Sequence, residues 1–169
     1  MKSITSAVHK AAWTLPLVGL LAAPALAQGL VKTNRLSAAL ANEAVAAAVD
    51  ACAKQNQAAT GVILDVSGVQ QAMLRGDGAG IHTVETADHK AYTAVTFKVD
   101  TIELVERAKT GTVSSAIVKV PRLLLAQGGV VIKADQVVIG AIGISGARGN
   151  NIDTQCARVG IEKIKDRMK

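Results

Sequence analysis

Residues 76–95, GDGAGIHTVETADHKAYTAV, hold the densest set of groups able to do chemistry in this chain. A glycine-rich turn leads into a predicted helix that carries Glu85, Asp88, His89 and Tyr92, with His82 just before it. At the helical period Val84, Ala87, Ala91, Ala94 and Val95 share one side, which should face a sheet. Glu85, Asp88, His89 and Tyr92 fall on the other. Glu85 and His89 are four residues apart, so their side chains can meet. Carboxylates with an imidazole suit iron, zinc or a similar ion, which makes Glu85, Asp88 and His89 the candidate metal ligands. His82 joins them if the helix starts a turn early. One helix rarely completes a coordination sphere, and a site shared between subunits would repair the shortage. An ordinary solvated helix face has the same composition, and acids near a helix start also suit its dipole. Spacing alone leaves both readings open.

Other motifs point away from chemistry. GAIGISGARG, residues 140–149, spaces Gly140, Gly143 and Gly146 three apart. It matches neither the dinucleotide fingerprint nor a phosphate loop, so packing is the better account of these glycines. No G-x-S-x-G elbow occurs, and Cys156 has no histidine near it in sequence, so hydrolase chemistry has no support.

The elements that must position the candidate helix can be read from periodicity and turn residues. An alanine-rich helix follows Ser37, whose hydroxyl suits a cap, with Leu40, Ala44, Ala47 and Ala51 lining one side. So many alanines allow close packing. Two strands joined at Ser67-Gly68 come next, then the helix over 83–97, then a short helix whose cap is expected at Asp100. Residues 110–122 read as an ordered loop with a short turn. A second hairpin turns at Ala134-Asp135-Gln136, and a helix closes the chain. In the longer strand Ile142 and Ile144 alternate with Ala141, Gly143 and Ser145, leaving one face small enough for a helix to lie close. Strands adjacent in sequence favour antiparallel pairing. The expected fold class is α+β: an antiparallel sheet of two hairpins flanked by helices, in a single layered domain.

Residues 1–27 have the order of a secretory signal peptide, with Lys2 and Lys10, an apolar core, and Ala25-Leu26-Ala27 before Gln28. The apolar part is shorter than the ~20 residues of a membrane span. The expected domain is therefore 28–169 and its location periplasmic or secreted. Two of the 19 basic residues fall in the leader, so 17 remain against 13 acidic ones, a net charge of +4. These charges are dispersed and the aromatics are few, which argues against nucleic acid as a partner. Cys52 and Cys156 are the only cysteines. Export permits a disulfide, but Cys52 shares a helical face with Val45 and Val49, as a buried free thiol would. Both states stay open.

LRGDGAG at 74–80, ETADHKAYTAVTF at 85–97, TIELVER at 101–107, AQGGVVI at 126–132, VIGAIGISGA at 138–147 and the closing NIDTQCARVGIEKI follow one another in order. In this the chain resembles the GlcG/HbpS-like haem-binding family over nearly all of residues 28–169. The resemblance implies an antiparallel sheet flanked by helices, a compact homo-oligomer, and haem or a related tetrapyrrole as cofactor. In exported members it also implies iron at an acidic E-x-x-E pair, which Glu85 and Asp88 match conservatively. The hydroxyl residue that such members carry before the Gly-Gly is Leu123 here, and leucine cannot ligate iron. His82, His89, Tyr92 or Met73 have the chemistry to replace it. Arg75 and Lys90 could pair with haem propionates, although Arg75 also ends a strand and Lys90 could pair with a nearby acid. The cofactor-binding candidates are thus Arg75, Lys90, His82 and Tyr92. The expected function is sequestration of haem or iron by an exported homo-oligomer. Slow oxidative haem breakdown, or a ligand-free module acting with a membrane sensor or another exported enzyme, are the alternatives.

Overall fold

The computed structural model describes residues 29–149 and 151–168. The expected leader lies outside the described residues. From Lys32 onward the chain forms one compact unit, in which α1 (Ala38–Ala53), β1 (Thr60–Asp65), β2 (Gln70–Arg75), α2 (Thr83–Phe97), α3 (Thr101–Lys109), β3 (Gly129–Ala134), β4 (Val137–Ser145) and α4 (Ile152–Ile164) succeed one another. A short 3-10 turn, Ser115–Lys119, lies in the connection after α3. None of the described helices is long and apolar enough to cross a membrane.

The sheet order is β2-β1-β4-β3, with every neighbouring pair antiparallel. Both expected hairpins form. The first is fastened by Asp65, whose Oδ1 accepts from the Ser67 and Val69 amides at 2.9 and 3.0 Å, while Gly68 takes φ +76°. Strand β1 is buried along its whole length, whereas the edge strand β2 is mostly exposed. A central strand covered on both faces has no polar side to show, hence the unbroken apolar run GVIL.

Helices α1 and α4 cover one face, over Ile63, Ile132, Ile142 and Ile144; α2 covers the other, over Val62, Leu64 and Ala141. The small face expected on β4 is where α2 lies. A Cβ on Gly143 would stand 2.0 Å from the Ala87 carbonyl oxygen. On the opposite face Gly160 of α4 meets α1 as closely, since a Cβ there would stand 2.4 Å from the Ala44 carbonyl oxygen. The alanines of α1 permit that approach.

Three expectations need correction, and the state of the two cysteines, open from the sequence, is decided. Helix α1 is rotated: Ala41, Ala44, Val45, Ala48, Val49 and Cys52 are buried, while Leu40, Ala47 and Ala51 are only partly so. The branched valines and the cysteine bury more apolar surface than alanine methyls, so they turn inward. Cys52 is not a free thiol; it is bonded to Cys156, with Cα atoms 5.5 Å apart, tying α1 to α4. Ser37 caps α1 through the Leu40 amide, but Asp100 does not cap α3 with its side chain. Its carboxylate instead accepts from the Val131 amide at 3.0 Å and from Arg158 at 3.1 Å, joining α3 to β3 and α4. On α2, Val84 is only half-buried, and Lys90 lies inside with the apolar residues.

Candidate functional site

Helix α2 begins at Thr83, so His82 stands at its N-cap position, with its carbonyl accepting from the Thr86 amide and its imidazole making no cap bond. The expected polar face is present but already engaged. Glu85 and His89 approach to 3.7 Å, the glutamate exposed and the histidine three-quarters covered. Asp88 is held by Arg122, whose Nε and Nη2 donate to its carboxylate at 3.2 and 3.1 Å. The same guanidinium stacks over Tyr92, 4.0 Å from the ring centroid, and reaches the Gly68 carbonyl at 3.4 Å. Among the described residues no group of three or more His, Cys, Asp or Glu is placed to hold a metal ion. Glu85, Asp88 and His89 thus share a helix face in this chain without converging on one point.

Arg122 was not among the sequence candidates. It lies in the connection after α3, far from Asp88 in sequence, and takes φ +66°. The Arg122→Ala protein should lose a half-exposed ion pair and a cation–π contact, each worth roughly 0.5–1 kcal/mol. Urea unfolding should register a total of about 1 kcal/mol, with the loop after α3 becoming more sensitive to protease.

A second group of polar residues surrounds the amino end of α2. Here a cavity of about 810 Å³ is lined by His82, Thr83, Lys90, Ser145, Arg148 and Asp153, among others. Lys90 in this lining is buried, 6% exposed. The Lys90 ammonium donates to Asp153 Oδ2 at 2.7 Å and to the Ile144 carbonyl at 3.0 Å, and Asp153 Oδ1 accepts from the Ala147 amide at 3.0 Å. A buried charge survives only when paired and hydrogen-bonded, and both conditions are met. Hydroxyl pairs extend the network: Thr83 with Thr60 at 2.6 Å, and Thr86 with Ser145 at 2.7 Å. Arg148 is exposed, and its guanidinium makes no ion pair among the described residues.

The four cofactor candidates therefore separate. His82 and Lys90 line one cavity. Arg75 lines a neighbouring groove between α1 and β2, with its Nε donating to the Ala79 carbonyl at 2.9 Å. Tyr92 sits beneath Arg122, apart from both. Leu123 follows Arg122, half-buried and without a donor atom. Asp153, Ser145 and Arg148 escaped sequence reasoning because only the topology brings β4 and the start of α4 against α2.

A helix-covered antiparallel sheet with an open polar cavity beside one helix end defines a small α+β domain. A family model described as haem degrading protein, HbpS-like, matches residues 36–162, and the chain belongs to that family. A crystal structure of HbpS is 32% identical, covering 79% of this chain and 93% of that one, at a TM-score of 0.74. A Streptomyces reticuli HbpS carrying two glutamate-to-aspartate substitutions is 34% identical, covering 83% and 96%, also at 0.74. A complex of PduOC with haem is 26% identical, covering 78% and 96%, at 0.71. No curated protein matches the chain significantly.

Proposed function

We propose that this is an exported haem-binding protein that holds its ligand at the cavity beside the amino end of α2. Family membership and the haem complex of a relative support the ligand class. The observation that carries the location is the meeting of His82 and Lys90 in one cavity. Its volume of about 810 Å³ falls within the range of small-molecule sites. The residues present fit the iron and the carboxylates of the group: His82 offers an exposed imidazole able to ligate iron, while Lys90 and Arg148 offer cations for propionates. When bound, haem would supply an iron centre with redox and oxygen chemistry. The leader-like residues 1–27 support export, and a buried disulfide fits an oxidising compartment. Exposed Val159, in a shallow groove with Ala47 and Ala51, supports a homo-oligomer.

Titration of hemin into the protein should give a saturable Soret shift. His82→Ala should change the position of the bound Soret band and weaken binding about tenfold or more, since a metal ligand is lost. A His82→Ala protein indistinguishable from the parent would remove His82 as the ligand; no shift in either would remove the haem reading. Iron at Glu85, Asp88 and His89 is a separate part of the proposal. It requires Asp88 to leave Arg122 or a second subunit to complete the set, and retention of Fe(II) after dialysis tests it.

The family description favours a second reading, slow oxidative haem breakdown. Incubating the complex with a reductant and oxygen should then bleach the haem even with catalase present. Bleaching that catalase abolishes would reflect free peroxide alone.

A further inference from the structure

The cavity has a direction. Its deep end is polar throughout, with Lys90, Ser145 and Thr83 all at least nine-tenths buried. The apolar atoms around it come from Ala58, Ala147 and a few glycines, too little surface to cover the face of a macrocycle. Charge is arranged the same way. The Lys90 ammonium spends two of its three donors on Asp153 and the Ile144 carbonyl. Asp153 cancels that charge, and its other oxygen is taken by the Ala147 amide. Among the described residues Arg148 at the rim has no acidic partner, so it makes the mouth of the cavity positive.

From this we infer that the cavity recognises the carboxylate edge of its ligand: a carboxylated tetrapyrrole enters propionates first, held by Arg148 and the remaining Lys90 donor, with its apolar body left outside near His82. The inference rests on the haem reading above and specifies which part of the ligand is bound. An inward propionate avoids placing apolar carbon against the buried Lys90 ammonium, whose third donor it could not satisfy. It also leaves the macrocycle faces to be covered by something other than this cavity.

The test uses the intact exported protein with hemin, metal-free protoporphyrin IX and hemin dimethyl ester, followed by absorbance. The ester keeps the iron and the apolar body but has no charged carboxylate. It should bind about tenfold or more weakly than hemin, because charge-assisted hydrogen bonds are lost. Arg148→Gln should weaken hemin and protoporphyrin by roughly three- to tenfold, as expected for a partly exposed pair. It should leave the ester unchanged, and Arg148→Lys should restore most of the loss. Equal binding of acid and ester, or an Arg148→Gln loss of the same size for both, would overturn the inference while leaving haem binding intact. Failure of all three ligands to bind would overturn the haem reading and this inference together. Arg148 is exposed and outside the core, so its substitution leaves the fold in place.

Discussion

The Cys52→Ala/Cys156→Ala protein should be less stable than the parent by about 3–4 kcal/mol. The bridge joins positions 104 residues apart, and closing a loop of that order restricts the unfolded chain by several kcal/mol in the chain-entropy account. It also fastens α1 to α4, the two helices that cover one face of the sheet. Urea unfolding should show a midpoint shifted well down, and a slope altered only as far as the unfolded chain expands. A loss under about 1 kcal/mol would mean that the unfolded chain keeps α1 and α4 together without the bond.

Reduction should follow the same logic. Both cysteines are fully buried, and thiol–disulfide exchange needs the attacking thiolate to reach a sulfur. Dithiothreitol should therefore act slowly on the native protein and quickly once urea opens it. Rapid reduction without urea would show that α1 and α4 separate locally while the sheet stays intact.

That bridge also shows how far the sequence could be read. Helix α2 was expected over 83–97 and occupies Thr83–Phe97, and the hairpins turn at Ser67-Gly68 and at Asp135-Gln136, where turns were expected. Helical period and turn chemistry act over a few residues, so they leave a local trace. The small face of β4 was legible for the same reason. The inward face of α1 was harder, because its alanines give period analysis little contrast and the two valines and Cys52 decide the rotation. Lys90 was read as able to pair with a propionate or with an acid, and it does pair with an acid, yet it is nine-tenths buried. What draws it in is Asp153, 63 residues away, and nothing near Lys90 announces that partner. Asp88 and Arg122 pair across 34 residues in the same way. The residue types of the site were thus visible in part, while their grouping needed the sheet order that sets β4 and the start of α4 beside α2.

Gly143→Ala should cost about 3 kcal/mol, against the sign of intrinsic preference. In a strand interior alanine is normally the better residue by roughly 0.5–1 kcal/mol. Here the added Cβ would lie 2.0 Å from the Ala87 carbonyl oxygen and 2.7 Å from the Ala91 amide nitrogen. Both are backbone atoms of a helix and cannot rotate aside, so α2 must lift from β4. Overpacking of this kind ordinarily costs about 1–3 kcal/mol and occasionally more. Lifting α2 would also part Thr86 from Ser145 and Lys90 from the Ile144 carbonyl, the bonds that seat the helix beside the cavity. Hemin affinity should therefore fall together with stability in this variant, whereas Arg148→Gln should alter affinity alone. As a control, Val137→Ala on the exposed end of the same strand should stay within about 0.5 kcal/mol of the parent. A Gly143→Ala protein as stable as the parent would mean that α2 does not approach β4 this closely. The cavity walls inferred from that approach would then need redrawing.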